Sequence, residues 1–208
     1  MREVKGNLLN ATESIIAHQV NCKGVMGAGV AYHIRKELLS WFEYQRYQRT
    51  CKTYSSQDLL GNIIVHTTNR PGTYVIDLFG EDQPTKTEVD TDYDALESAL
   101  DKAVKLSVCG GHTIALPGYL GCGLAGGDWE IVYNMIKKIE KKYHTSITLY
   151  YIDKSIKQLW DDFGAIPMEP KTECIKKEWH GFPDGTHREE IWHWFEETFD
   201  VSVAENLM

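Results

Sequence analysis

Two glycine-rich stretches hold the residue types best suited to chemistry. The first, H-Q-V-N-C-K-G-V-M-G-A-G-V-A-Y-H-I-R, runs from His18 to Arg35. The second, G-Y-L-G-C-G-L-A-G-G-D-W-E, runs from Gly118 to Glu130. Glycine has no Cβ, so it permits positive φ and lets a ligand approach the backbone closely. Where such a loop feeds a helix, backbone N–H groups and the positive end of the helix dipole face an anion. Both stretches follow strand-like apolar runs and precede helix-like segments, so each reads as a phosphate cradle. The competing reading is a tight turn that binds nothing, common wherever a strand hands over to a helix. Asp128 stands where the N-cap of the second helix is expected, and a cap is its plainest role.

The surrounding elements follow from periodicity. Arg2 to Lys5 reads as a short strand, and Thr12 to Val20 as a turn and a second strand. Val30 to Arg49 reads as one helix, with Val30, Ile34, Leu38 and Trp41–Phe42 on its apolar face. The runs I-I-V-H after Gly61 and Y-V-I-D-L-F after Pro71-Gly72 are β-branched and aromatic, as strands are. Asp90 to Leu106 is a helix capped by Asp90, or by Thr91 with Asp94, and ended by Cys109-Gly110-Gly111. T-I-A-L-P follows as a buried strand, Ile131 to Lys142 as an amphipathic helix, and Ser146 to Ile152 as a last strand. Strands alternating with helices predict an α/β domain with a parallel or mixed sheet. In such sheets ligands bind at the carboxyl ends of strands, where both glycine loops would meet.

Bulk properties narrow the function classes. The 208 residues are 42% hydrophobic and 25% charged, which is globular and not disordered. A net charge of −8 argues against non-specific nucleic-acid binding, which needs clustered Lys and Arg, but leaves room for a local basic pocket for a small phosphate ligand. The five cysteines, Cys22, Cys51, Cys109, Cys122 and Cys174, form no C-x-x-C pair, so neither a zinc site nor a disulfide framework is expected. Reduced thiols fit a cytoplasmic protein. No apolar run reaches membrane-spanning length, so no membrane role is expected, and no metal or cofactor is implied.

From Asp153 onward the texture changes. Ile166-Pro167 and Glu169-Pro170 break regular structure, and Thr186 with Glu189 forms a capping box before a helix rich in Ile191, Trp192, Trp194, Phe195 and Phe199. Residues 154–208 read as a short aromatic helical extension, either docked on the main domain of residues 1–153 or offering a surface to a protein partner.

Three motifs in this order resemble the macro domain family, the ADP-ribose-binding fold: V-K-G-N-L-L at Val4 to Leu9, the glycine stretch from His18 to Ala31, and L-P-G-Y-L-G-C-G-L-A-G-G-D-W at Leu116 to Trp129. The resemblance spans most of residues 1–152. It looks closest to the branch with terminal ADP-ribose glycohydrolases and the yeast-type ADP-ribose-1″-phosphate phosphatase, and to phage and bacterial relatives. It implies a three-layer α/β/α domain with a mixed central sheet and ADP-ribose, or a derivative, as ligand. Asn7 would stand where the family has an aspartate that accepts from the adenine amino group, with Leu8 beside it. An Asn oxygen can accept too, without the carboxylate's charge. Asn21 would face the distal ribose. Gly27, Ala28, Gly29 and Val30 would form the first diphosphate loop, and Gly121, Cys122, Gly123, Leu124 and Ala125 the second. Ile152 would pack on the adenine, with Tyr151 as a rival if the register differs.

Catalysis is less plainly written. The glycohydrolases of that branch use a lysine after the strand equivalent to Tyr74–Phe79 and an aspartate after the G-C-G-L motif. Here those places read L-F-G-E-D-Q and Ala125, so neither residue is carried over, and Lys86 could substitute only from the neighbouring loop. A hydrolase could instead orient a water with a carboxylate base: Asp128, Glu81 or Asp82, with Asn21 positioning the ribose. His18 reads as a buried structural histidine more readily than a general acid. Loop N–H groups would lower the Cys122 pKa, although small size alone explains a cysteine there. Two functions stay open, a hydrolase of an ADP-ribose derivative and a non-catalytic ADP-ribose reader.

Overall fold

The computed structural model describes residues 1–85 and 88–152. The expectations for the extension beyond Asp153, and for Lys86, lie outside the described residues. Six strands form one sheet: β1 (Arg2–Lys5), β2 (Ile15–Asn21), β3 (Ile63–Thr67), β4 (Tyr74–Glu81), β5 (Ile114–Pro117) and β6 (Ile147–Tyr151). Their order is β1-β6-β5-β2-β4-β3. All neighbours are parallel except β3 and β4, so the sheet is mixed, as expected. Five strands therefore point one way, and Lys5, Tyr151, Pro117, Asn21 and Glu81 end along a single edge.

Helices cover both faces. The helices α4 (Tyr93–Cys109) and α5 (Trp129–Tyr143) bury Leu96, Ala99, Leu100, Ala103, Val132, Ile136 and Ile139 against Ala17, Ile76, Leu78, Leu116 and Leu149. On the opposite face, α1 (Gly29–Glu37), α2 (Trp41–Thr53) and α3 (Ser56–Leu59) pack Ile34, Tyr47 and Leu59 with Leu8, Leu9, Ile16, Val20, Val75 and Phe79. Alternate strand residues feed the two cores, which is the period-2 signature of a sheet buried on both sides. Among the described residues, no helix is long and apolar enough to cross a membrane.

Two expectations about helices need correction. The single helix expected over Val30–Arg49 is two. It breaks at Leu38–Ser40, where Ser40 accepts from Glu43 N and starts α2 in a new direction. Trp41 and Phe42 consequently leave the apolar face and stand 68% and 77% exposed. The cap of α4 is Asp92, which accepts from Ala95 N at 2.9 Å. Asp90 instead receives the Thr85 N–H at 2.8 Å, and the Thr91 hydroxyl is drawn to the second glycine loop.

Candidate functional site

The edge where the five parallel strands end carries both glycine loops, and specific hydrogen bonds stitch them together. The Cys22 N–H donates to the Glu81 and Asp82 carbonyls at 3.0 and 2.9 Å, tying the first loop to the end of β4. The Thr91 hydroxyl donates to the Gly121 carbonyl at 2.6 Å and accepts from Gln19 Nε2 at 3.1 Å. The Asp90 N–H donates to the Ala125 carbonyl at 2.8 Å. The second loop is thus shaped from outside by the segment that precedes α4.

Asn21, the last residue of β2, is 7% exposed. Its Oδ1 accepts the N–H groups of Lys23 at 3.1 Å and Val25 at 3.2 Å, and its Nδ2 donates to the Val25 carbonyl at 2.8 Å. From α2, the fully buried Tyr47 hydroxyl donates to the Asn21 backbone carbonyl at 2.7 Å and lies 3.2 Å from Oδ1. The asparagine therefore organises the first loop, with one Nδ2 hydrogen left for anything placed above it. Tyr47 is a contributor that sequence reasoning missed. On paper it is one more aromatic of an amphipathic helix, and only the tertiary fold brings its hydroxyl to Asn21.

The first loop ends at Ala28, which opens α1 without any side-chain cap. The other four described α-helices each have one, from Ser40, Ser55, Asp92 and Asp128. Among the described residues, no side chain accepts from the N–H groups of Gly29, Val30 or the next residue, so the positive end of the dipole faces outward as an anion site would. Gly29 itself sits at φ 57°.

The glycines divide by what surrounds them. Gly121 sits at φ 70°, a conformation that favours glycine, and a Cβ there would also come within 2.5 Å of Gln19 Oε1, so the protein's own backbone asks for that glycine. A Cβ on Gly123 would meet nothing within 4 Å, and one on Gly27 only the Val25 side chain at 3.6 Å. These two positions, one per loop, are where a ligand could lie against bare backbone. Of the two readings of Cys122, size wins over activation: it is 6% exposed with Sγ 3.1 Å from the Leu120 carbonyl, and burial pushes its thiol pKa up, not down. That leaves it an inert, small core residue.

At the far end, Asn7 caps the short 3-10 turn Leu8–Asn10 by accepting from Leu9 N at 2.9 Å. One lone pair of its oxygen is thereby used, and one remains. Leu8 is buried behind it. Tyr151 faces the α4/α5 side, its ring 5.6 Å from that of Tyr119 and 6.2 Å from that of Trp129. Strand alternation then puts Ile152 on the opposite side with Tyr150, the side that carries Leu8 and α1.

Three carboxylates are candidate bases. Asp128 caps α5, its Oδ1 accepting from Glu130 N at 2.8 Å. Asp82 is half-exposed, 2.8 Å from Lys23 Nζ and hydrogen-bonded by Ser56; those two partners hold its carboxyl below the usual range. Glu81 is 9% exposed and pairs in register with Asn21 across β2 and β4. His18 is wholly buried on β2, with Nε2 3.0 Å from Asp77, and so is structural.

A family model described as Macro domain matches residues 17–136. The curated protein ADP-ribose 1″-phosphate phosphatase from Meyerozyma guilliermondii is 27% identical over 176 residues, covering 72% of this chain and 97% of that protein. Among solved structures, the macrodomain of Mycobacterium tuberculosis DarG superposes with a TM-score of 0.59 at 21% identity, covering 74% of this chain and 97% of its own. Thermosipho africanus DarTG, solved in complex with ADP-ribose, superposes with a TM-score of 0.57 at 22% identity, covering 76% of this chain and 43% of its own. At these identities the structural likenesses establish the fold.

Proposed function

The chain belongs to the macro domain family, and from that premise we propose that it binds ADP-ribose across the strand-end edge and hydrolyses ADP-ribose-1″-phosphate. The observation that carries the binding is the α1 N-terminus. It lacks a side-chain cap and opens from a loop whose Gly27 backbone is bare, at the edge that also carries the bare Gly123. Two backbone loops of this kind satisfy a diphosphate without lysines, which suits a chain of net charge −8. Asn7, Leu8 and Ile152 hold the adenine; Gly27 to Val30 and Gly121 to Ala125 hold the diphosphate; Asn21 meets the distal ribose through its remaining N–H.

The name of the Meyerozyma relative, which is matched over nearly its whole length, supports a phosphatase. In the proposed step a water attacks phosphorus while the bond from phosphorus to the 1″ oxygen breaks. A carboxylate takes the water's proton and returns one to the leaving oxygen, giving ADP-ribose and inorganic phosphate. We assign that carboxylate to Glu81, because its backbone pairs in register with that of Asn21 where β4 and β2 end. Asp128, occupied as a cap, is the rival.

A reader without turnover is the second reading, favoured by the absence of the lysine and aspartate used by related glycohydrolases, here L-F-G-E-D-Q and Ala125. Incubation with ADP-ribose-1″-phosphate and assay of released phosphate separates the two. The phosphatase reading predicts release that Glu81→Gln lowers at least a hundredfold and Asp128→Asn leaves largely intact. Tight binding with no phosphate released selects the reader.

A further inference from the structure

The order of the strands fixes the direction in which an extended ligand lies. The groups assigned to adenine end β1 and β6, the two loops follow β5 and β2, and Asn21 ends β2. The next strand in the order is β4. Anything attached to the far side of the distal ribose therefore arrives over the end of β4, where Lys23, Glu81 and Asp82 gather.

Lys23 is built into this spot from both ends. Its backbone N–H donates to Asn21 Oδ1 at 3.1 Å, so its Cα cannot drift from the ribose-facing residue. Its Nζ lies 2.8 Å from Asp82 Oδ1 and donates to Ser56 Oγ at 3.0 Å. The Ser56 hydroxyl in turn donates to Asp82. The side chains of Lys23 and Asp82 are 37% and 52% exposed, and an ion pair so open to water contributes little to stability. It is parked, not locked. An ammonium has three donors, and a phosphate monoester approaching neutral pH carries close to two charges against one on a carboxylate. The two backbone loops are taken up by the diphosphate, so a second phosphate beyond them, in a chain of net charge −8, gains most from a local cation.

We propose that Lys23 is the specificity residue for a phosphate on the distal ribose: its ammonium leaves Asp82 for the phosphate, and Ser56 keeps Asp82 hydrogen-bonded meanwhile. This rests on the ADP-ribose reading and deepens it. The same exchange accounts for discrimination, since unphosphorylated ADP-ribose offers Lys23 nothing better than the carboxylate it already has.

The test uses two ligands that no hydrolysis can blur, ADP-ribose and ADP-ribose bearing a non-hydrolysable 1″-methylenephosphonate. Each is titrated calorimetrically into the wild-type chain, Lys23→Met and Lys23→Arg. The expected result is a loss of at least tenfold in phosphonate affinity for Lys23→Met, with ADP-ribose affinity within twofold, and recovery of most of the loss in Lys23→Arg. Raising the salt should shrink the phosphonate advantage of the wild type. Equal weakening of both ligands would mean that Lys23 only shapes the loop, and no weakening of either would mean it is a bystander; both overturn the proposal. A folded wild type that binds neither ligand removes the ADP-ribose reading, and this inference with it, whereas normal ADP-ribose binding with no Lys23 effect removes this inference alone.

Discussion

Asn21 is held more firmly than the proposed ribose contact requires. Its Oδ1 gathers two backbone N–H groups of the first loop, and Tyr47 reaches through the core to its carbonyl. Removing one hydroxyl should therefore disturb the site from a distance. Tyr47→Phe leaves the buried carbonyl of Asn21 without that donor, an expected loss of about 1–2 kcal/mol by urea denaturation. ADP-ribose affinity should fall together with it, because the loop loses its anchor. Reduced stability with unchanged affinity would confine Tyr47 to the core. The type and position of Asn21 were legible from the strand-to-loop change in the sequence. Tyr47 was not, since spacing marks it as apolar and cannot say where its hydroxyl goes. Cys122 was legible in part: small size alone explained it from sequence, but burial, which decides between that and an activated thiol, is a tertiary quantity.

The helix starts show how two similar motifs diverge. The α5 helix starts from Asp128, whose carboxylate takes an N–H of the first turn, while α1 starts from Ala28, which cannot. Asp128→Ala should cost about 1 kcal/mol of stability through the lost cap, measurable as a lower urea midpoint, with turnover per folded molecule preserved. Turnover that collapses at unchanged stability would transfer the base role from Glu81 to Asp128. Asp128 as a cap was readable from sequence because N-cap chemistry is local. The break between α1 and α2 was not. Leu38 and Trp41–Phe42 continue the apolar spacing, and only Ser40's capping of a new helix ends it. The interlock of Thr91 with Gly121 joins loops thirty residues apart, so no local pattern could reveal it, and Thr91 was read instead as a cap.

Across the molecule, the sheet both builds the binding edge and stores a charge network behind it. Asp77 on β4, wholly buried, is 3.0 Å from His18 on β2 and 2.7 Å from His66 on β3, and His66 Nδ1 is 2.9 Å from Glu43 on α2. Burial disfavours the His66 imidazolium, but its bonds to Asp77 and Glu43 outweigh this and hold its pKa above the ordinary 6.5. Burial likewise works against the Asp77 carboxylate, yet the two histidines hold its pKa below 3.8; for Glu43, the bonds to Thr67 and His66 overcome burial and hold it below 4.5. The signs follow by linkage. The His66 contribution is full below pH 6.5 and fades as pH rises through its higher folded value. The Asp77 and Glu43 contributions are full above their ordinary values and fade as pH falls through the lower folded ones. Urea stability should therefore peak between about pH 4.5 and 6.5, and His66→Gln should flatten the decline on the alkaline side. An unchanged alkaline limb in that variant would mean the network is not its source.

The parallel strand ends proposed as the ligand edge were implied by the alternation of strands and helices, and the bare Gly27 and Gly123 lie in the two loops at that edge. Adding a carboxylate at either glycine tests the clamp most directly, because neither new Cβ meets more than an ordinary contact within the protein. Calorimetric titration of ADP-ribose into the wild type, Gly27→Glu and Gly123→Glu should show saturable binding in the first and at least a hundredfold loss in both variants, at unchanged thermal stability. Affinity retained in either folded variant would contradict the two-loop clamp.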